Sequence, residues 1–188
     1  SSNNNLINNT ANSNGLGIYL FYSSNNNLTS NTANSNGEGI ALGASNYNTL
    51  INNTANSNGR YGILLSSSSN NNLINNLINN TVSNNAQSGI YLYSGSNNNL
   101  ISNTVSNNAQ NGIFLYYSTN SILTNNTVNK NSAKGIDISN SSATLTNNTV
   151  CNNIASYDIY CSVPQSDGGG NKCTKLSCAG VTCSPCPQ

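Results

Sequence analysis

The sequence predicts an all-β solenoid of about seven coils, closed by a cysteine-rich C-terminal cap. Three observations predict it. Near-copies of one phrase recur about every 23 residues across residues 1–162, apolar residues within each copy alternate with a period of two, and all six cysteines lie in the last 38 residues. A fixed repeat of this length is the signature of stacked supersecondary units, each unable to bury its apolar face alone.

The coils are defined by columns. One reads Leu6, Leu28, Leu50, Leu73, Leu100, Leu123 and Leu145, at steps of 22, 22, 23, 27, 23 and 22 residues. The long step holds a duplication in place, Leu73-Ile74-Asn75-Asn76 followed at once by Leu77-Ile78-Asn79-Asn80. A second column, Thr10, Thr32, Thr54, Thr81, Thr104, Thr127 and Thr149, is always preceded by Asn. A third reads Gly-Ile-x-Leu/Ile, at Gly17-Ile18, Gly39-Ile40, Gly62-Ile63, Gly89-Ile90, Gly112-Ile113 and Gly135-Ile136, with a degenerate copy at Asp158-Ile159-Tyr160-Cys161. Ile18 and Leu20 alternate with Tyr19 and Phe21, which is strand patterning, and no segment keeps a 3.6-residue period for three turns. Asn/Ser/Gly clusters such as Asn12-Ser13-Asn14-Gly15 read as the turns between strands.

Asparagine supplies 46 of the 188 residues, while Lys+Arg number five and Asp+Glu four. Such a composition usually means disorder, but unstructured low-complexity sequence does not hold register through seven copies. Leu6 and Ala11 lie five apart, so one alternating strand cannot point both inward and a bend must fall between them. The Asn before each Thr sits there: Asn9, Asn31, Asn53, Asn80, Asn103, Asn126 and Asn148. Asn tolerates the left-handed backbone of a sharp bend, and copies stacked at ~4.8 Å can hydrogen-bond as a ladder. Four apolar side chains per coil cannot offset the entropy of ordering it, so stability must come from coil-on-coil pairing.

The run Asn-Asn-Asn-Leu-Ile-Ser-Asn-Thr-Val-Ser-Asn-Asn at 97–108, followed by Gly-Ile-Phe-Leu-Tyr-Tyr-Ser at 112–118, resembles the right-handed parallel β-helix repeat of the pectate-lyase-like superfamily. It most resembles the Asn-rich subgroup of periplasmic copper-site maturation proteins and of bacterial and archaeal surface proteins. The resemblance covers about residues 1–162 and implies a right-handed parallel β-helix. For activity it leaves lyases, hydrolases, sugar-binding modules and structural rods all open.

The chain opens at Ser1 already inside a repeat, which predicts either further residues upstream or an open end that stacks head-to-tail on another copy. At the other end, Cys161 takes the place of an inward Leu/Ile, so the sequence places the solenoid over 1–162 and the cap over 163–188. Cys151, Cys161, Cys173, Cys178, Cys183 and Cys186 suggest three disulfides. Zinc on the last four is the rival, disfavoured by loose spacing and by the absence of histidine. Disulfides imply an oxidising compartment, and the expected location is extracellular or at the cell surface. No apolar run of membrane-spanning length is present, so no membrane insertion is expected.

Asn8, Asn27, Asn52, Asn79, Asn125, Asn140 and Asn147 each begin an Asn-x-Ser/Thr glycosylation acceptor, although a chain of this composition generates such triplets freely. The Thr column reads as outward β-branched strand residues; positions two away are Asn or Ser, not the second Thr of an ice-binding ladder. Outward positions of the Gly-Ile strands carry aromatics, and Tyr91 and Tyr93 stack over Phe114 and Tyr116 as a two-by-two patch suited to sugar rings, to a subunit interface or to sheet stabilisation alone.

For catalysis the residues offer little. The acids are Glu38, Asp137, Asp158 and Asp167, and only Asp137 and Asp158 fall in neighbouring coils, within reach of the carboxylate separation that glycoside hydrolysis needs. No metal centre, cofactor or catalytic residue is indicated, and the sequence predicts a non-enzyme. Net charge of +1 argues against nucleic-acid partners. The expectation is a structural rod that assembles with copies of itself into a surface filament, with a carbohydrate-binding fragment of a larger surface protein as the alternative.

Overall fold

In the computed structural model, residues 1–66 and 76–187 are described, and they form three parallel sheets wound as one solenoid. Among these residues the first sheet has eight strands, from Asn5–Ile7 to Ser166–Gly169; the second has five, from Thr81–Ser83 to Lys172–Cys173; the third has eight, from Leu16–Phe21 to Leu176–Ser177. Isolated bridges Thr10–Thr32–Thr54–Thr81 carry the second sheet back through the earlier coils.

Strands pair column on column: Leu6 with Leu28, Leu28 with Leu50, Leu100 with Leu123, Leu123 with Leu145. The duplicated phrase resolves differently from the sequence alignment. Leu50 and Leu100 both pair with Leu77, so the second copy of the duplication enters the sheet, and Leu73 lies outside the described residues. The period of two does what the pattern predicts. Leu28, Leu50, Leu100, Val105, Ile113 and Leu115 have no solvent exposure, and their counterparts in other coils join them in one continuous core.

The bend between the first and second sheets falls one residue earlier than expected. Left-handed φ angles occur at Asn8 (57°), Ser30 (56°), Asn52 (56°), Asn79 (53°), Ser102 (54°), Asn125 (56°) and Asn147 (53°), each immediately before a ladder asparagine. The reason is a division of labour. The left-handed residue swings its own side chain outward and turns the next one into the core, so the ladder asparagine keeps ordinary backbone angles and spends its amide on the stack.

That stack is continuous. Asn103 Nδ2 donates to Asn126 Oδ1 at 3.0 Å and to the Leu77 carbonyl at 2.9 Å, while Asn80 Nδ2 donates to Asn103 Oδ1 at 3.0 Å. The same links run from Asn9 to Asn148 and on to Asn171. A second ladder, not singled out in the sequence, joins Asn14, Asn36, Asn58, Asn85, Asn108, Asn131 and Asn153 at the bend before the third sheet. Buried amides and backbone groups thereby satisfy one another along the rod, which the low apolar content requires. The glycine of each Gly-Ile pair makes room for this ladder. A Cβ on Gly112 would stand 2.4 Å from Val128 Cγ1 and 2.7 Å from Asn131 Nδ2.

The six cysteines form Cys151–Cys186, Cys161–Cys178 and Cys173–Cys183, which removes the zinc alternative. They staple the tail onto the last coil, yet the solenoid does not stop at residue 162. Ser166–Gly169, Lys172–Cys173 and Leu176–Ser177 each add a strand to one of the three sheets. Three disulfides place the chain outside the reducing cytosol. Among the described residues no helix is long and apolar enough to cross a membrane.

Candidate functional site

The outward positions of the third sheet form two columns along the rod. One runs Tyr19, Ala41, Leu64, Tyr91, Phe114, Asp137, Tyr160; the other runs Phe21, Gly43, Ser66, Tyr93, Tyr116, Ser139. Parallel in-register pairing stacks like on like, so aromatics at matching positions meet face to face. Tyr91 and Phe114 lie 5.0 Å apart at 9°, Tyr93 and Tyr116 6.0 Å apart at 22°. Tyr61 extends the platform on one side, 5.1 Å from Tyr91, and Tyr117 on the other, 4.4 Å from Tyr116. These two were not predicted, since they lie in turns; the left-handed φ of 51° at Tyr117 is what lays its ring beside Tyr116. Burial, and then the neighbouring phenols, push the Tyr91 hydroxyl up to about 12, and the hydrogen bond with Tyr117 raises Tyr116.

A second aromatic wall stands three coils away. Tyr19 and Phe21 lie 5.8 Å apart at 19°, with Tyr22 edge-on to Phe21 at 4.3 Å. Between the walls the columns hold small or aliphatic residues, and a cleft of about 420 Å³ opens, lined by Tyr19, Phe21, Tyr22, Gly43, Ser66 and Tyr93 among others. Gly43 is buried beneath the first wall: a Cβ there would meet Phe21 Cδ2 at 3.0 Å, so the glycine lets that ring lie across the next coil. The volume is that of a small-ligand site.

Charged groups stand at the margins. Arg60 pairs with Glu38 at 3.0 Å. Beyond Phe114, Lys134 Nζ lies 2.8 Å from Asp137 Oδ2 and 3.8 Å from the centre of the Tyr160 ring. Ser139 Oγ donates to Asp137 Oδ1 at 2.8 Å. Asp158 is not a partner for Asp137: it is fully buried, accepting hydrogen bonds from the Asn153 side chain and from the backbone N–H groups of Asn153, Thr174 and Lys175. The two acids therefore do not form a carboxylate pair.

The glycosylation acceptors share one environment with an exception. Asn8, Asn52, Asn79, Asn125, Asn140 and Asn147 are exposed left-handed turn residues, whereas Asn27 lies in a strand, half-buried, with its Oδ1 accepting from Thr29 Oγ1 at 3.0 Å.

Residues 1–100 match the family model described as "Periplasmic copper-binding protein (NosD)", and residues 75–172 match "Right handed beta helix region". No curated protein sequence matches the chain. Among solved structures, it is similar to the mannuronan C-5 epimerase AlgE4 A-module of Azotobacter vinelandii (17% identity, 89% of this chain and 55% of that one, TM-score 0.71). It is also similar to the periplasmic alginate epimerase AlgG (20% identity, 93% and 44%, TM-score 0.72). The chain spans about half the length of these structures, and at such identities the likeness shows the fold.

The expectation of a non-enzyme is corrected by these neighbours. Epimerases share this architecture, so a rod without an obvious acidic cluster is no ground for excluding catalysis. The copper in the family's description meets a different test. Copper sites draw on thiolate, thioether and imidazole ligands; this chain has no histidine and no methionine, and all six cysteines are in disulfides. Among the described residues no three His, Cys, Asp or Glu side chains gather. The donor set does not fit a copper site. On the match over its first hundred residues, the chain belongs to the periplasmic copper-binding protein (NosD) family, within the right-handed β-helix architecture.

Proposed function

We propose that this protein is a glycan-binding β-helix of the periplasm or cell surface, whose binding face is the aromatic platform of the third sheet. The observation that carries this reading is the stack of Tyr91 on Phe114 and Tyr93 on Tyr116, continued by Tyr61 and Tyr117. Sheet stabilisation alone accounts for stacking within the pairs. It does not account for Tyr19, Phe21 and Tyr93 presenting ring faces at 50%, 52% and 41% exposure around a cleft. Aromatic faces beside hydroxyls suit sugar rings, which are apolar on one face and polar at the rim. Fold neighbours named for mannuronan and for alginate add support from a distance.

This reading is preferred to a filament of end-stacked copies. Strand pairing from rod to rod needs free backbone groups, and the tail engages some of them on the last coil: Gln165 N donates to the Ala179 carbonyl, Cys173 N to Ser184 O and Ser184 N to Asn171 O.

A glycan array probed with the intact protein and with the Tyr93→Ala/Phe114→Ala double variant tests the reading. Binding to a defined glycan class by the parent, lost in the variant, is the expected result. An array without binding, or binding untouched by the double substitution, contradicts it.

A further inference from the structure

We infer that the cleft between Tyr19/Phe21 and Tyr93 takes a neutral pyranose chain and not a polyuronate; the inference rests on the glycan reading above.

Charge decides it. The two columns carry no ionisable acid or cation from Tyr19 and Phe21 through Phe114 and Tyr116. The cations at the margins are already neutralised, Arg60 by Glu38 at 3.0 Å and Lys134 by Asp137 at 2.8 Å. A polyuronate brings one carboxylate per sugar. Carboxylates brought onto ring faces lose water without gaining a counter-charge, which is strongly unfavourable, whereas polyanion sites supply Arg or Lys in matching register. Five cations in the whole chain leave no such row. Lys175, for one, spends its ammonium on the carbonyls of Asn153 and Ala155 at 2.7 Å.

Shape agrees. Ser66 leaves the gap, with the Phe21 ring lying over Gly43 on one side and the Tyr93 ring on the other, so a sugar ring can lie over Ser66 with its apolar face toward one wall. The phenol hydroxyls of Tyr19, Tyr22 and Tyr93 and the hydroxyl of Ser66 are polar groups available to its rim. The resulting ligand class is a neutral, linear polysaccharide, in contrast to the mannuronan and alginate named for the fold neighbours.

Isothermal titration calorimetry with oligosaccharides of neutral β-linked glucan and mannan, and with oligomannuronate, at low and high salt, separates the cases. The expected result is binding of a neutral oligosaccharide with affinity insensitive to salt. It should fall about tenfold in Phe21→Ala, whose ring is half exposed and outside the core, and be lost in Ser66→Trp, which fills the cleft. Oligomannuronate binding that weakens steeply with salt overturns the neutral assignment and leaves the glycan reading standing. Neutral binding unchanged in both variants overturns the cleft. Absence of binding to every sugar, glycan-array hits included, overturns the glycan reading itself and this inference with it.

Discussion

Asn153 donates its side-chain amide to Asp158 Oδ1 at 3.1 Å, at the position where every earlier coil offers another asparagine. Side-chain N–H donates to the next Oδ1 throughout the first ladder and from Asn58 onward in the second, so the last amide needs an acceptor that asks for no further donor. A carboxylate is acceptor-only. The other ladder ends likewise, with Asn171 Nδ2 donating to Asp167 Oδ1 at 3.0 Å.

Replacing Asp158 therefore strips more than one bond. In Asp158→Ala the backbone N–H groups of Asn153, Thr174 and Lys175 lose their acceptor, and the Asn153 amide keeps only the longer bonds to the Val128 and Cys151 carbonyls, both at 3.3 Å. The expected loss is about 3–5 kcal/mol, read as a lower denaturant midpoint at unchanged slope. Asp158→Asn, which keeps the shape and one acceptor, should lose roughly half as much. Equal stability of parent and Ala variant would remove the ladder-terminating role.

Cys161 and Cys178 close a loop of sequence separation 17 between the last Gly-Ile-type strand and the tail. The double Ser variant should lose about 3 kcal/mol. Amide hydrogen exchange should accelerate first in Ile159–Cys161 and Leu176–Ser177, the strands this bridge holds together. Acceleration spread evenly along all coils would mean that the cap does not protect the last coil locally.

Acid should loosen the tail before it melts the rod. The hydrogen bond from the Thr182 hydroxyl, then that from Gly169 N, hold the Asp167 carboxyl below its ordinary value of 3.8. A depressed carboxylate stabilises the fold above its unfolded value and loses that contribution as pH falls through the folded one. Protection factors at the Thr182 and Gly169 amides, which correct for the slower intrinsic exchange in acid, should fall as pH drops below about 4. In Asp167→Asn the same amides should exchange faster at neutral pH, with that acid step gone. An unchanged acid step in the variant would assign it to another group.

Much of the rod was legible because its signal is repetition. The Leu and Gly-Ile columns, the Asn9-to-Asn148 ladder positions and the aromatic columns follow from a 23-residue step combined with period-two alternation. The rest was hidden for identifiable reasons. Leu73 and Leu77 sit in identical phrases, and only pairing to Leu50 and Leu100 chooses between them. The second ladder was masked because Asn14, Asn36 and Asn58 precede glycine and read as ordinary turns. Asp158 reads in the sequence as the neighbour of Asp137 in a carboxylate pair, since a ladder's end is visible only once its donors are placed. The cleft was invisible as well, because it consists of what Ser66 leaves out between two walls, one of them laid over Gly43.

The glycan-binding claim is tested most directly by tyrosine footprinting. The chain has ten tyrosines and no tryptophan, so hydroxyl-radical labelling of the intact protein, with and without a saturating neutral oligosaccharide, reads the platform residue by residue. Protection of Tyr19, Tyr93 and Tyr116, with Tyr47 (58% exposed and outside the platform) labelled as before, is the predicted result. Unchanged labelling at all of these tyrosines under conditions of proven binding would contradict the account, since the ligand would then lie on another face of the rod.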